Sequence, residues 1–132
     1  MHLPPLHRRC CNRQCVTDSI HRYPRLVDST LEFVEAVGGP EDSADLERLA
    51  LLIAAHARPD LIIEQVGHQI DDLAAFVESG DLMSLRRVLF GRHGFTGDLT
   101  SYYDEENSYL DSVVRRRRGI PITLSVLTIS VG

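Results

Sequence analysis

Lysine and tryptophan are absent from this chain, and all 14 of its basic residues are arginine. The missing lysine reads as codon bias and carries no mechanism. Long apolar runs are absent as well. None approaches the roughly 20 residues of a membrane-spanning helix, so no membrane partner is expected. The N-terminal MHLPPLHRRCCNRQC lacks an apolar stretch, which excludes a secretory signal. Cysteine is confined to Cys10, Cys11 and Cys15. An odd number with no partner elsewhere argues against a disulfide framework and points to a reducing cytoplasm. No cysteine follows Cys15, and His93 is the last histidine.

What is present suits one folded domain. A chain of 132 residues can build a single core. Its 43% hydrophobic and 25% charged residues exclude global disorder. The net charge of -5 is unevenly spread. Residues 1–25 hold five arginines against one aspartate; residues 26–114 hold 18 acids against five arginines; Arg115 to Arg118 add four positive charges. An acidic body of this kind repels nucleic acid at long range, so no nucleic-acid partner is expected.

Residues 1–26 show no apolar period, are interrupted by Pro4, Pro5 and Pro24, and read as a poorly packed leader. Asp28 can cap a helix through Val37 with Leu31, Val34 and Phe33 inward, ended by Gly38-Gly39-Pro40. Asp42 or Ser43 can cap the next, in which Leu46, Leu49, Ala50, Ile53 and Ala57 share a face. Arg58-Pro59 stops it. A third helix starts at Pro59 or Asp60 and carries the strongest period, Ile63, Val66, Ile70, Leu73 and Val77. Asp81 caps a shorter helix with Leu82, Leu85, Val88 and Leu89 inward, and Gly91 to Gly97 is a loop. A helix over Glu105 to Arg117 would bury Tyr109, Leu110, Val113 and Val114, with acids first and arginines last to suit the helix dipole. Gly119 suits the position just past its end. Pro121 suits the first residue of a last helix with Ile122, Leu124, Val126, Leu127 and Ile129 inward, although β-branched residues leave a strand open there.

Three stretches, ALLIAAHARPDL at 50–61, LFGRHGFTGD at 89–98 and YYDEENSYLDSVVRRRRGIPITLSVL at 102–127, give the chain a family resemblance. Over roughly residues 30–130 it resembles the N-terminal region of transglutaminase-like proteins of the invasion-regulator (SirB) type. The resemblance implies an all-α bundle of five to six helices. It divides the chain into a leader (1–26), a helical N-terminal domain (27–118) and the first helix of a transglutaminase-like core (119–132). It also implies a truncated or frameshifted product, because the sheet and the His-bearing strand of that core do not follow.

Acyl-transfer chemistry of that family needs a thiolate at a helix N-terminus, a His base and an orienting carboxylate. The corresponding helix start, Gly119-Ile120-Pro121, has no cysteine, and the hydroxyls of Thr123 and Ser125 have no base nearby in sequence. No catalytic residue, cofactor or enzymatic activity is therefore expected. Cys10, Cys11 and Cys15 with His7 and His21 have the wrong spacing for zinc and read as free thiols, so no metal is expected. Arg115 to Arg118 point around most of a helix and read as a solvated end paired to Asp104, Glu105, Glu106 or Asp111. The candidate cleft or interaction set is Tyr102, Tyr103, Asp104, Asn107, Ser108, Arg118 and Pro121. Its structural alternative has Asp104 or Asn107 as a helix cap and Tyr109 packed inward. The function expected is a non-catalytic helical interaction or scaffold module, regulatory by family analogy, that binds a protein partner or itself through Ile120 to Val131. Trimming from Gly119 should then raise solubility. The alternative is the front part of a cysteine-type acyltransferase or peptidase fold.

Overall fold

The computed structural model describes residues 24–39 and 45–132. The leader as far as Tyr23, with its cysteines and histidines, and the caps expected at Asp42 or Ser43 lie outside the described residues. Among those described, six α-helices form the expected predominantly helical bundle: α1 (Pro24–Val37), α2 (Leu46–Ala57), α3 (Ile63–Ala74), α4 (Leu82–Arg86), α5 (Leu110–Arg116) and α6 (Pro121–Val131). A two-residue parallel pair joins β1 (Thr96–Gly97) to β2 (Arg118–Gly119), Thr96 opposite Arg118. The core gathers Leu51, Ile70, Leu89, Leu110, Val113 and Leu127 from α2, α3, α5, α6 and the turn after α4.

Helix α1 begins four residues before Asp28, at Pro24, where a missing N–H costs nothing. Leu31 and Val34, expected inward, are exposed. Helix α2 is capped by Asp45, whose carboxylate accepts from the Arg48 amide at 3.1 Å. Its buried face is Leu51, Leu52, Ala54 and Ala55, while Leu46 and Ile53 of the expected face look outward. LERLALLIAAHA is apolar around most of its circumference, so spacing alone does not select a side. Packing against α1, α3, α5 and α6 selects it. In α3 the expected residues Val66, Ile70 and Leu73 are buried. Residues 59–62 form a turn rather than its first turn of helix, with the Leu61 amide donating to the Arg58 carbonyl.

Asp81 caps α4 as expected, accepting from the Ser84 amide at 2.8 Å. The helix then widens into a π-helical turn over Arg87–Arg92, where a loop was expected from Gly91. The His93 amide donates to the Val88 carbonyl across it. Gly94 follows at φ +68, a conformation glycine adopts without strain, and turns Phe95 into the core.

The helix expected over Glu105 to Arg117 is broken into a 3-10 turn at Glu105–Asn107 and α5. The carbonyl of Asn107 causes the break. It accepts from the Ile120 amide at 3.3 Å and from Thr123 Oγ1 at 2.9 Å, so it does not continue a helix. The left-handed residue that ends α5 is Arg117 (φ 58), not Gly119. Gly119 is required for close packing instead: a Cβ there would stand 2.7 Å from Val113 Cγ2.

The apolar run after Gly119 is a helix, not a strand, with Pro121 in its first turn. Thr123, Leu127 and Val131 face inward. Ile122 and Ile129, expected inward, are 69% and 66% exposed. Because Leu127 and Val131 belong to the core, trimming at Gly119 would open the bundle; the expected gain in solubility does not follow.

Candidate functional site

The chemically richest region lies where the 3-10 turn, α5, β2 and the start of α6 meet. Its base is Asn107, fully buried, whose side-chain amide donates to the Ser101 carbonyl at 2.7 Å. The Asn107 carbonyl holds the Ile120–Thr123 segment, so one residue ties the Leu99–Asp104 loop to α6. Asp98, also buried, accepts from the amides of Thr100 (3.1 Å) and Ser101 (2.9 Å) and shapes that loop from its other end.

Around this base runs a layer of ion pairs. Arg58, at the C-terminus of α2, reaches Glu106 and also Asp111 at 2.6 Å, and its guanidinium lies 4.7 Å from the centre of the Tyr109 ring. Ser112 Oγ donates to Glu106. Arg115 approaches Glu106 at 3.4 Å from the rim. Arg116 bridges Asp98 (3.6 Å) and Asp104 (3.4 Å). Arg117 turns away and donates to the His93 carbonyl at 3.0 Å. The arginine run thus sends its side chains to different places: Arg115 and Arg116 are successive positions of α5, and Arg117 has already left the helix.

The electrostatics keep Glu106 and Asp98 charged. Hydrogen bonds from Ser112 and then Arg58 hold Glu106 below the usual glutamate range, against the opposing effect of burial. The Ser101 amide, more than any other group, holds Asp98 low, with help from Thr100, Asn107 and Arg118. Neither carboxylate is poised to exchange a proton near neutral pH. The hydroxyls are committed too: Thr123 donates to the Asn107 carbonyl and Ser125 donates to the Pro121 carbonyl at 2.8 Å. Among the described residues, no group of three or more His, Cys, Asp or Glu side chains could hold a metal.

The candidate residues separate into two groups. Asp104 caps the 3-10 turn through the Glu106 amide (3.1 Å) and pairs with Arg116, and Asn107 is the buried tie. Tyr102 and Tyr103 are 48% and 96% exposed and meet edge to face at 5.3 Å. Ser108 and Pro121 are exposed at the entries to α5 and α6, and Arg118 is exposed on β2. Arg58 escapes sequence inspection, where it marks only a helix stop before Pro59. Its role depends on residues about 50 positions away, and a lone arginine gives no periodic signal of that.

UPF0162 proteins from two strains of Xylella fastidiosa, Temecula1 and 9a5c, are each 37% identical over 100 residues, or 69% of this chain and 36% of the relative. A UPF0162 protein of Vibrio cholerae is 34% identical over 65 residues, covering 49% of this chain and 22% of that protein. The chain therefore spans about a third or less of the length of these curated relatives. No solved structure matches. Residues 43–132, which carry α2 to α6 with the whole ion-pair layer, match the family described as the transglutaminase-like superfamily, and the chain belongs to it.

Proposed function

We propose that this chain is a non-catalytic helical interaction module of the SirB type within its superfamily, serving a regulatory or scaffolding role. The single observation that carries the proposal is the outer face of α6. Ile122 and Ile129 are seven residues apart, two helical turns, and stand largely in solvent with half-buried Val126 between them. The inner face of the same helix is fully used by Leu127 and Val131. Covering the outer stripe removes apolar surface from water at about 25 cal/mol per Å², which favours a protein partner or a second copy of the chain.

Sedimentation of the wild type beside an Ile122→Glu, Ile129→Glu variant tests this. The wild type should associate as concentration rises, while the variant stays monomeric with its melting temperature kept, because both side chains are exposed. A wild type that remains monomeric and monodisperse at about millimolar concentration, with no partner retained by the helix, would sink the proposal.

A second reading, the front part of a cysteine-type acyltransferase or peptidase fold, is favoured by the superfamily match itself. Against it, α6 opens on Ile120-Pro121 without a thiol, and its two nearest hydroxyls donate to backbone carbonyls. Amine incorporation by the chain that disappears in Ser125→Ala would favour this reading over the interaction module.

A further inference from the structure

A cavity of about 280 Å³ opens between α3, the end of α5 and the loop that follows the π-helical turn. It shares no lining residue with the outer face of α6. Helix α3 contributes Gln69 and Asp72 to its wall; α5 contributes Arg115, and Arg117 follows just past its end. Its apolar lining is Leu73, Phe76, Phe95 and Val114, with His93 among them. Acid, base and apolar surface thus converge on a space suited to one small molecule.

Three details mark the cavity as more than a packing gap. Arg117 holds a left-handed backbone (φ 58), the one non-glycine residue among those described to do so, and this aims its guanidinium at the His93 carbonyl. Arg115 spends only long contacts, 3.4 Å to Glu106 and 3.3 Å to Ser112, so most of its donors stay uncommitted. His93 Nε2 is buried and meets no hydrogen-bond partner, a cost of about 1–3 kcal/mol for a polar atom left so. The His93 ring is set 5.2 Å from that of Phe76, and Arg92 covers Phe76 at 4.3 Å, so the aromatic part of the wall is braced. Burial, with Arg117 and Arg92 nearby, pushes the imidazole below its usual range and keeps it neutral at physiological pH.

We propose that this cavity binds a free amino acid with an apolar side chain, its carboxylate on Arg115 and Arg117, its ammonium on Asp72 and Gln69, and its side chain on Phe76, Phe95 and Leu73. The pairing of opposite charges on adjacent walls distinguishes a zwitterion from a simple anion, which would be repelled by Asp72. Charge-assisted contacts of this kind are the stronger ones, and the apolar lining supplies the preference for a large side chain.

Titration of the full chain with L-phenylalanine, followed by amide NMR, tests the assignment. Saturable shifts are expected at His93, Phe95 and the 114–117 segment, with a dissociation constant of about 1 mM or tighter. L-phenylalaninamide, which lacks the carboxylate, and N-acetyl-L-phenylalanine, which lacks the ammonium, should each bind at least about tenfold more weakly. Glycine should give no saturable shifts. Arg115→Gln and Asp72→Asn should each weaken L-phenylalanine about fivefold or more with the melting temperature kept, since both side chains are exposed and Arg115 makes only long contacts. Absence of saturation up to about 20 mM would overturn the proposal. So would N-acetyl-L-phenylalanine binding as well as the parent compound, or unaltered binding by both variants.

Discussion

Helices α1 and α5 make an instructive pair. The first is 14 residues long and strongly amphipathic, yet none of its described side chains, Ser29 to Val37, is buried. The second is only seven residues long and buries Leu110, Asp111, Ser112 and Val113. Amphipathic length therefore does not decide which helix the bundle is built on. α1 packs chiefly on one neighbour, α2, along one side, and its visible ties to α2 are peripheral: Glu32 to Arg48 and Thr30 to His56. α5 is enclosed by α2, α3 and α6 and fixed at both ends, by the Asn107 tie before it and by β2 after it. A short segment surrounded on all sides removes more apolar surface per residue from water than a long one lying on an edge.

Truncation of one side chain on each helix should expose the largest difference. Leu110→Ala removes a fully buried side chain from the core and should cost about 3 kcal/mol in urea unfolding. Val34→Ala on α1 should cost less than about 0.5 kcal/mol. Comparable losses would mean that α1 is covered in solution by something that shields its outward face.

The ion pairs sharpen the same contrast at a smaller scale. Arg48 and Glu32 pair at 3.0 Å with both side chains about half exposed. A pair of that kind is worth less than about 1 kcal/mol, and Arg48→Ala should scarcely move the unfolding midpoint. Arg58 pairs with Asp111, whose side chain is only 6% exposed, and with Glu106. Arg58→Ala leaves a buried carboxylate without its cation and should cost about 2 kcal/mol or more. Arg58→Lys should recover only part, since an ammonium cannot present two nitrogens to two carboxylates while lying on the Tyr109 ring. Equal effects at Arg48 and Arg58 would show that water reaches the interior layer.

Both contrasts mark the limit of what the linear chain discloses. The helical class, the cap at Asp81, the inward face of α3 and the helix-opening Pro121 were legible because each depends on residues within a turn or two of one another. The faces of α2 and α6 were not, because both helices are apolar on nearly every side and the choice belongs to their neighbours. The break at Ser108-Tyr109 was hidden for a related reason: local propensity favours one continuous helix, and the donors that stop it, Ile120 and Thr123, come from the next element. At the candidate site, Asp104 and Asn107 stood out as polar residues at a helix start, whereas Arg58 and the lone His93 had no pattern to reveal them. The three cysteines belong to a part of the chain outside the described residues.

Acid should separate the two regions with the smallest of these effects. Asp98 and Glu106 are held below their ordinary values of 3.8 and 4.5, Asp98 chiefly by the Ser101 amide and Glu106 chiefly by Ser112. A carboxylate whose pKa is depressed by folding binds its proton more readily in the unfolded chain. Its stabilising contribution is therefore complete above about pH 5 and is lost as the pH falls through the folded value. Asp98→Asn removes the charge at all pH values while keeping an acceptor oxygen for Thr100 and Ser101. The stability gap between wild type and this variant should accordingly be widest near neutral pH and close as the wild-type carboxylate is protonated, below about pH 4. A gap that stays constant down to about pH 3 would assign Asp98 a role as a neutral acceptor only. The layer that encloses α5 would then depend on geometry, not on charge, and would differ from the α1 edge in packing alone.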